Sequence, residues 1–118
     1  MNAIQYYLTN DLFFSSRVEG VAKRSGANLR VVGSLTKLLE QAEAYGECSS
    51  VLIDLTLPSL DIVATVAAMR ERFPQARIVA YGPHVQEALL AAAQAAGCDE
   101  VLTRGQFDRE MQRVVAAK

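Results

Sequence analysis

The run Val51-Leu52-Ile53 ends at Asp54 and is followed by Pro58 and a fresh helical pattern. A short apolar run without polar alternation reads as a strand covered on both faces, which belongs in a parallel sheet between two layers of helices. The rhythm around it carries the same meaning. Strand-like stretches at Ala3–Leu8, Asn28–Val32, Val51–Ile53, Arg77–Tyr81 and Glu100–Thr103 alternate with helical patterns. Each connection is too long for a hairpin, so each is a crossover, and crossovers within one sheet are right-handed. The chain is expected to form a doubly wound α/β three-layer sandwich with five parallel strands in the order 2-1-3-4-5. Residues 1–118 suit one domain, without linker, repeat or low-complexity segment.

The helical patterns each offer one apolar face. Phe14, Val18, Val21, Ala22 and Ser25 face inward in the first, closed by Gly26. Leu35, Leu38, Leu39, Ala42 and Tyr45 do so in the second, and Gly46 ends it. In the third, Ser59 is the expected cap, Ile62, Val63, Val66, Met69 and Phe73 point inward, and Arg70-Glu71-Arg72 is a solvated end before Pro74. The fourth spans Val85–Ala96, with Val85, Ala88, Leu89, Ala92 and Ala96 inward. Leu90, Ala91 and Ala95 make its other flank apolar too, a face suited to a protein partner or a second copy of the chain. The fifth presents Phe107, Met111, Val114 and Val115.

Composition removes several function classes. The 12 basic and 13 acidic side chains are interspersed and give a net charge of −1, so no basic stripe awaits nucleic acid. The longest nearly apolar tract, Ala88 to Ala96, is interrupted by Gln94 and too short to span a membrane. Met1-Asn2-Ala3-Ile4-Gln5 lacks the positive start and long apolar segment of an export signal, and Cys48 and Cys98 are isolated, so reduced thiols and a cytoplasmic location are expected.

An acid at the C-terminal end of a central strand lies where open parallel sheets bind ligands. Strand order 2-1-3-4-5 puts the switch point between strands one and three, which places Asn10 and Asp11 beside Asp54 and Arg104 across the crevice. Two carboxylates about 4 Å apart repel by roughly 4 kcal/mol at an effective dielectric near 20. They must share a cation, hold a proton or pair with Arg104. A divalent ion such as Mg²⁺ suits Asp11, Asp54, the amide oxygen of Asn10 and a nearby backbone carbonyl. Alternatively, Asp54 only caps the turn that follows it.

Other chemistries fit less well. Cys98 and Arg104 spell C-x5-R, but the residues between them look like a strand, which separates the two ends. His84, the only histidine, has no nucleophile placed beside it by sequence. The loop Thr9-Asn10-Asp11-Leu12-Phe13 lacks glycine and carries an acid where a phosphate would sit, so neither flavin nor nucleotide is expected.

The segment Asp54-Leu-Thr-Leu-Pro58-Ser-Leu-Asp61, preceded by Val-Leu-Ile, resembles the phosphoacceptor strand and loop of response-regulator receiver domains of the CheY-like type. Ala91-Ala-Ala-Gln-Ala-Ala-Gly97 is similar to the end of their fourth helix, and the five-unit rhythm matches theirs over nearly the whole chain. The resemblance implies a flavodoxin-like sandwich and a non-enzymatic module of two-component phosphorelay signalling. In it Asp54 accepts a phosphoryl group from a histidine kinase, and Mg²⁺ is held by acids after strand one, Asp54 and the carbonyl of Thr56. It also implies an output protein, or a homodimer through the fourth helix, as partner. The departures from the pattern are substantial. Thr9-Asn10-Asp11 stands for an acid pair, and Gly82 for the Ser or Thr after strand four. Arg104-Gly105 replaces Lys-Pro, Val101 an aromatic, and Ile62 a glycine. The expectation is a degenerate receiver in which Arg104 pairs with Asp54. Its alternative to phosphorylation is a pseudo-receiver acting by protein interaction alone; a flavodoxin-like small-ligand domain ranks last.

Overall fold

The computed structural model describes residues 3–116. Met1 and Asn2, on which the export expectation partly rests, lie outside the described residues. In chain order the elements are β1 (Ile4–Leu8), α1 (Leu12–Arg24), β2 (Asn28–Val32), α2 (Leu35–Tyr45), β3 (Ser50–Asp54), α3 (Ile62–Arg72), β4 (Arg77–Gly82), α4 (Glu87–Ala96), β5 (Glu100–Thr103) and α5 (Arg104–Val115). One parallel sheet has the order β2-β1-β3-β4-β5, as expected. The central strands β1 and β3 are apolar because helices cover both their faces.

Alternation along each strand divides the core into two layers. Tyr6, Leu8, Val51, Ile53, Ile78 and Ala80 point toward α2, α3 and α4. Tyr7, Leu52, Val79 and Tyr81 point toward α1 and α5, where Phe14 and Phe107 meet them. Three helices close at a left-handed glycine or just before one: Gly26, Gly46 and Gly97 have φ of 77°, 72° and 98°.

Several local expectations are corrected. Asp61, not Ser59, caps α3, accepting from Ala64 N at 3.0 Å, while Ser59 takes φ 64° to turn the loop. Arg70 is not a free surface charge: it donates to the carbonyls of Ala76 and Gly97 and pairs with Asp99 at 3.0 Å, tying α3 to the far end of α4. Val63 is exposed, and so is Tyr45, whose ring lies over the Arg30 guanidinium at 4.3 Å. The largest change is in α4. It begins at Glu87, with Val85 left exposed in the preceding loop. Ala93 is its buried residue, Leu89 and Leu90 pack against the core, and Ala88 and Ala92 are exposed. Leu90 therefore does not belong to an outer apolar flank; Ala91 and Ala95 do lie outside.

Candidate functional site

Asp54 ends β3 and is only 3% exposed. Because Leu8 pairs with Ile53, the residue that follows β1, Thr9, comes beside Asp54. Its hydroxyl donates to Asp54 Oδ2 at 2.7 Å and accepts from Asp11 N at 3.1 Å, so its proton is directed at the carboxylate. The other oxygen, Oδ1, accepts from Thr56 N at 2.9 Å and the Thr56 hydroxyl at 2.7 Å. Three donors from two threonines thus occupy both carboxylate oxygens. Hydrogen bonds to a charged acceptor contribute about 1.5–3 kcal/mol each, enough to hold a buried carboxylate without a cation.

The two acids expected together are separated in role. Asp11 caps α1 through Phe14 N, 3.0 Å from Oδ1, and its Oδ2 meets Arg104 Nη2 at 3.2 Å. The Phe14 N–H, followed by Arg104, holds the Asp11 carboxyl below the usual carboxylate range. Arg104 thus pairs with Asp11 and not with Asp54, and its guanidinium lies 4.4 Å from the Phe14 ring centroid. Asn10 is exposed.

Gly82 is not aimed at Asp54 either. A Cβ on Gly82 would sit 3.4 Å from Leu55 Cβ and 3.7 Å from Leu90, on the aliphatic side of the sheet. The residue in register with Asp54 is Tyr81. Its ring stacks on Phe107 with centroids 4.6 Å apart and contacts Phe14 at 5.6 Å, while its hydroxyl bonds the Tyr7 hydroxyl. Burial pushes the Tyr7 phenol up to about 12, and the nearby Asp54 charge acts in the same direction. Tyr81 is raised as well, first by burial and then by its proximity to Tyr7. A wall of aromatic rings and neutral phenols therefore stands behind Asp54.

Sequence reasoning missed Thr9, Tyr7 and Tyr81. The signal was present in the period-two alternation: Tyr7 on β1 and Thr9 just past its end fall on the side of the sheet that meets Asp54 on β3.

The donor set does not fit Mg²⁺. That ion requires near-octahedral oxygen ligands at about 2.0–2.1 Å. Here Asp54 already accepts three threonine donors, Asp11 accepts an amide and an arginine, and the residue after β1 that stands beside Asp54 is a threonine and not an acid. Among the described residues no group of three His, Cys, Asp or Glu side chains gathers.

No protein-family profile and no curated protein sequence matches the chain. Solved structures do. The receiver domain of the TMAO respiratory system response regulator TorR superposes with TM-score 0.83 at 18% identity, covering 96% of this chain and 92% of that one. A CheY-like response regulator receiver domain protein from Methanospirillum hungatei JF-1 gives 0.80 at 12% identity, over 98% and 91%. NtrX from Brucella abortus gives 0.79 at 18% identity over 97% of this chain, which spans only 26% of NtrX. The fold is that of CheY-like receiver domains. Among the described residues no helix is long and apolar enough to cross a membrane.

Proposed function

We propose that this chain is a receiver-like module of two-component signalling that works by binding another protein, without accepting a phosphoryl group and without catalytic activity of its own. The observation that carries the reading is the threonine cage: Thr9 and Thr56 engage both oxygens of Asp54. A carboxylate oxygen that attacks a phosphoryl group must give up competing hydrogen bonds, and the reaction needs a cation to offset the charge gathering on the phosphoryl oxygens. In this chain Arg104, the cation expected to pair with Asp54, faces Asp11 instead.

The competing reading, transfer to Asp54 from a histidine kinase, draws support from its place at the C-terminal end of a central strand. It requires the Thr9 and Thr56 hydroxyls to turn away and a metal to be held by a donor set that does not suit one. Incubation with acetyl phosphate and Mg²⁺, followed by intact mass measurement, separates the two. The caged-carboxylate reading expects no phosphoryl adduct. An adduct present in the wild type and lost in Asp54→Ala overturns it.

A further inference from the structure

The layer between the sheet and α1 and α5 is filled differently at its two ends. Beside Asp54 it is packed with the rings of Tyr7, Tyr81, Phe14 and Phe107. At the opposite edge, where the strands begin, Gln5, Ser50 and Arg77 stand side by side in register on the same face, two residues before Tyr7, Leu52 and Val79. The middle of that row is a serine, too short to reach α5. A hollow of about 260 Å³ remains there, walled by Leu52 and Val79 from the sheet and by Val114 and Val115 from the last turn of α5. Ser50 and Asp54 are the two ends of β3, about 13 Å apart, so the hollow is separate from the carboxylate site.

Two polar groups in this hollow lack partners. Gln5 is only 7% exposed, and its Nε2 donates to the Val115 carbonyl at 3.3 Å, tying the sheet to the end of α5. That bond fixes the amide and leaves Oε1 without a hydrogen bond among the described residues. The neighbouring Ser50 hydroxyl has none there either. A buried amide oxygen is costly to leave unmatched. Charge, by contrast, is already balanced at the rim: Arg77 meets Glu100 at 2.8 Å, and Glu100 also takes Arg113 at 2.7 Å. The hollow therefore offers one free acceptor, one free hydroxyl and four aliphatic side chains, with no unpaired charge.

We infer that the hollow between the start of the strands and the end of α5 binds a small uncharged aromatic alcohol. The ring lies among Leu52, Val79, Val114 and Val115, and the hydroxyl donates to Gln5 Oε1 and accepts from the Ser50 hydroxyl. Mostly apolar walls with a few convergent polar groups are the usual make-up of a small-molecule site. Water alone would satisfy the two polar groups and leave the four aliphatic side chains wet. Size agrees, since an apolar cavity of about 150 Å³ accepts benzene and this one has room for a ring with small substituents. A carboxylate would have to compete with Glu100 for Arg77. The inference goes beyond the protein-binding reading and stands whether or not Asp54 accepts a phosphoryl group.

The test is an amide NMR titration of the intact chain with three probes of one shape: p-cresol, p-xylene, in which a methyl replaces the hydroxyl, and p-toluate, in which a carboxylate does. The cresol is expected to shift Gln5, Ser50, Leu52 and Val115 saturably, with a Kd of about 1 mM or below, within reach of a ligand of this size. The xylene and the toluate are expected to bind at least about fivefold more weakly, because a site built around hydrogen bonds rejects the analogue that cannot make them. Ser50→Ala, which removes only the hydroxyl, is expected to weaken the cresol about five- to tenfold and to leave the xylene unchanged. Val114→Phe, at a half-buried position, is expected to fill the hollow and abolish binding of both, while Ala91→Glu on α4 alters neither. The spectra of the variants themselves report whether each is folded. No saturable shift with any probe at several times that concentration, equal binding of cresol and xylene, tighter binding of the toluate, shifts centred on Asp54 or α4, or cresol binding indifferent to both Ser50→Ala and Val114→Phe overturns the inference.

Discussion

The two sides of the sheet are built from different materials. Toward α2, α3 and α4 the buried layer is aliphatic, with Leu8, Leu38, Ile53, Met69 and Ile78 fully buried, and its one buried aromatic, Tyr6, has an unpartnered hydroxyl. Toward α1 and α5 it is aromatic, with Phe14, Tyr81 and Phe107 in contact and Tyr7 bonded to Tyr81. The first layer is held by shape and volume. The second also carries hydroxyls that end near Asp54, so its packing and the candidate site are one structure. A ring, unlike a small hydroxyl side chain, cannot swing in and out of such a wall without leaving a cavity. The site is fixed by its own core.

Truncations separate the layers most sharply. Phe107→Ala is expected to lose about 3–5 kcal/mol and Leu38→Ala about 2–5 kcal/mol in urea unfolding. Only the first should move the amide resonances of Thr56 and Asp54; if Leu38→Ala moves them equally, the layers are not distinct. Asp54→Ala comes next. Removing a caged carboxylate strands the Thr9 hydroxyl and the Thr56 N–H and hydroxyl, so the variant should be less stable by about 1–3 kcal/mol. A gain in stability would mean that Asp54 is a strained charge and not a satisfied one.

Smaller effects follow pH. The Tyr7 phenol is raised from 10.0 to about 12, so folding favours its neutral form. Its contribution is complete below the unfolded value near 10 and is lost as pH climbs through 12. Tyr7→Phe should flatten that alkaline loss. Asp11 runs the opposite way. Its carboxyl is lowered, so its contribution is present above the unfolded value near 3.9 and disappears as pH falls through the lower folded value. Asp11→Asn should remove that part of the acid slope. Arg104→Ala, which breaks a partly exposed pair, should cost less than about 1 kcal/mol at neutral pH. A much larger loss would make Arg104 a structural keystone.

The strands and their order were legible because Val51-Leu52-Ile53 and its counterparts are apolar runs closed by turns, and long connections leave little choice of topology. Helix faces were legible where apolar and charged residues segregate, as in α1 and α5. They were not in α4, where alanines surround the helix and no stripe marks the side Leu90 takes. The cap of α3 was misplaced because Ser59 and Asp61 are both good capping residues, and only the left-handed turn at Ser59 decides between them. At the site, the end of β3 was readable as the position of Asp54, but its partners were sought by charge. The structure satisfies the carboxylate with neutral hydroxyls instead, and places Tyr81, not Gly82, in register with it. Polar threonines and tyrosines on strands look like ordinary strand residues until the register is known.

The most direct test of the caged carboxylate is an amide NMR spectrum with Mg²⁺, then with Mg²⁺ and beryllofluoride, a mimic of an aspartyl phosphate, with Asp54→Ala as control. The account predicts unchanged resonances for Thr9, Asp11, Asp54, Thr56, Tyr81 and Arg104 after both additions. Saturable shifts at these residues that vanish in Asp54→Ala would contradict it, because they would mean that the cage opens and the carboxylate is available for phosphoryl chemistry.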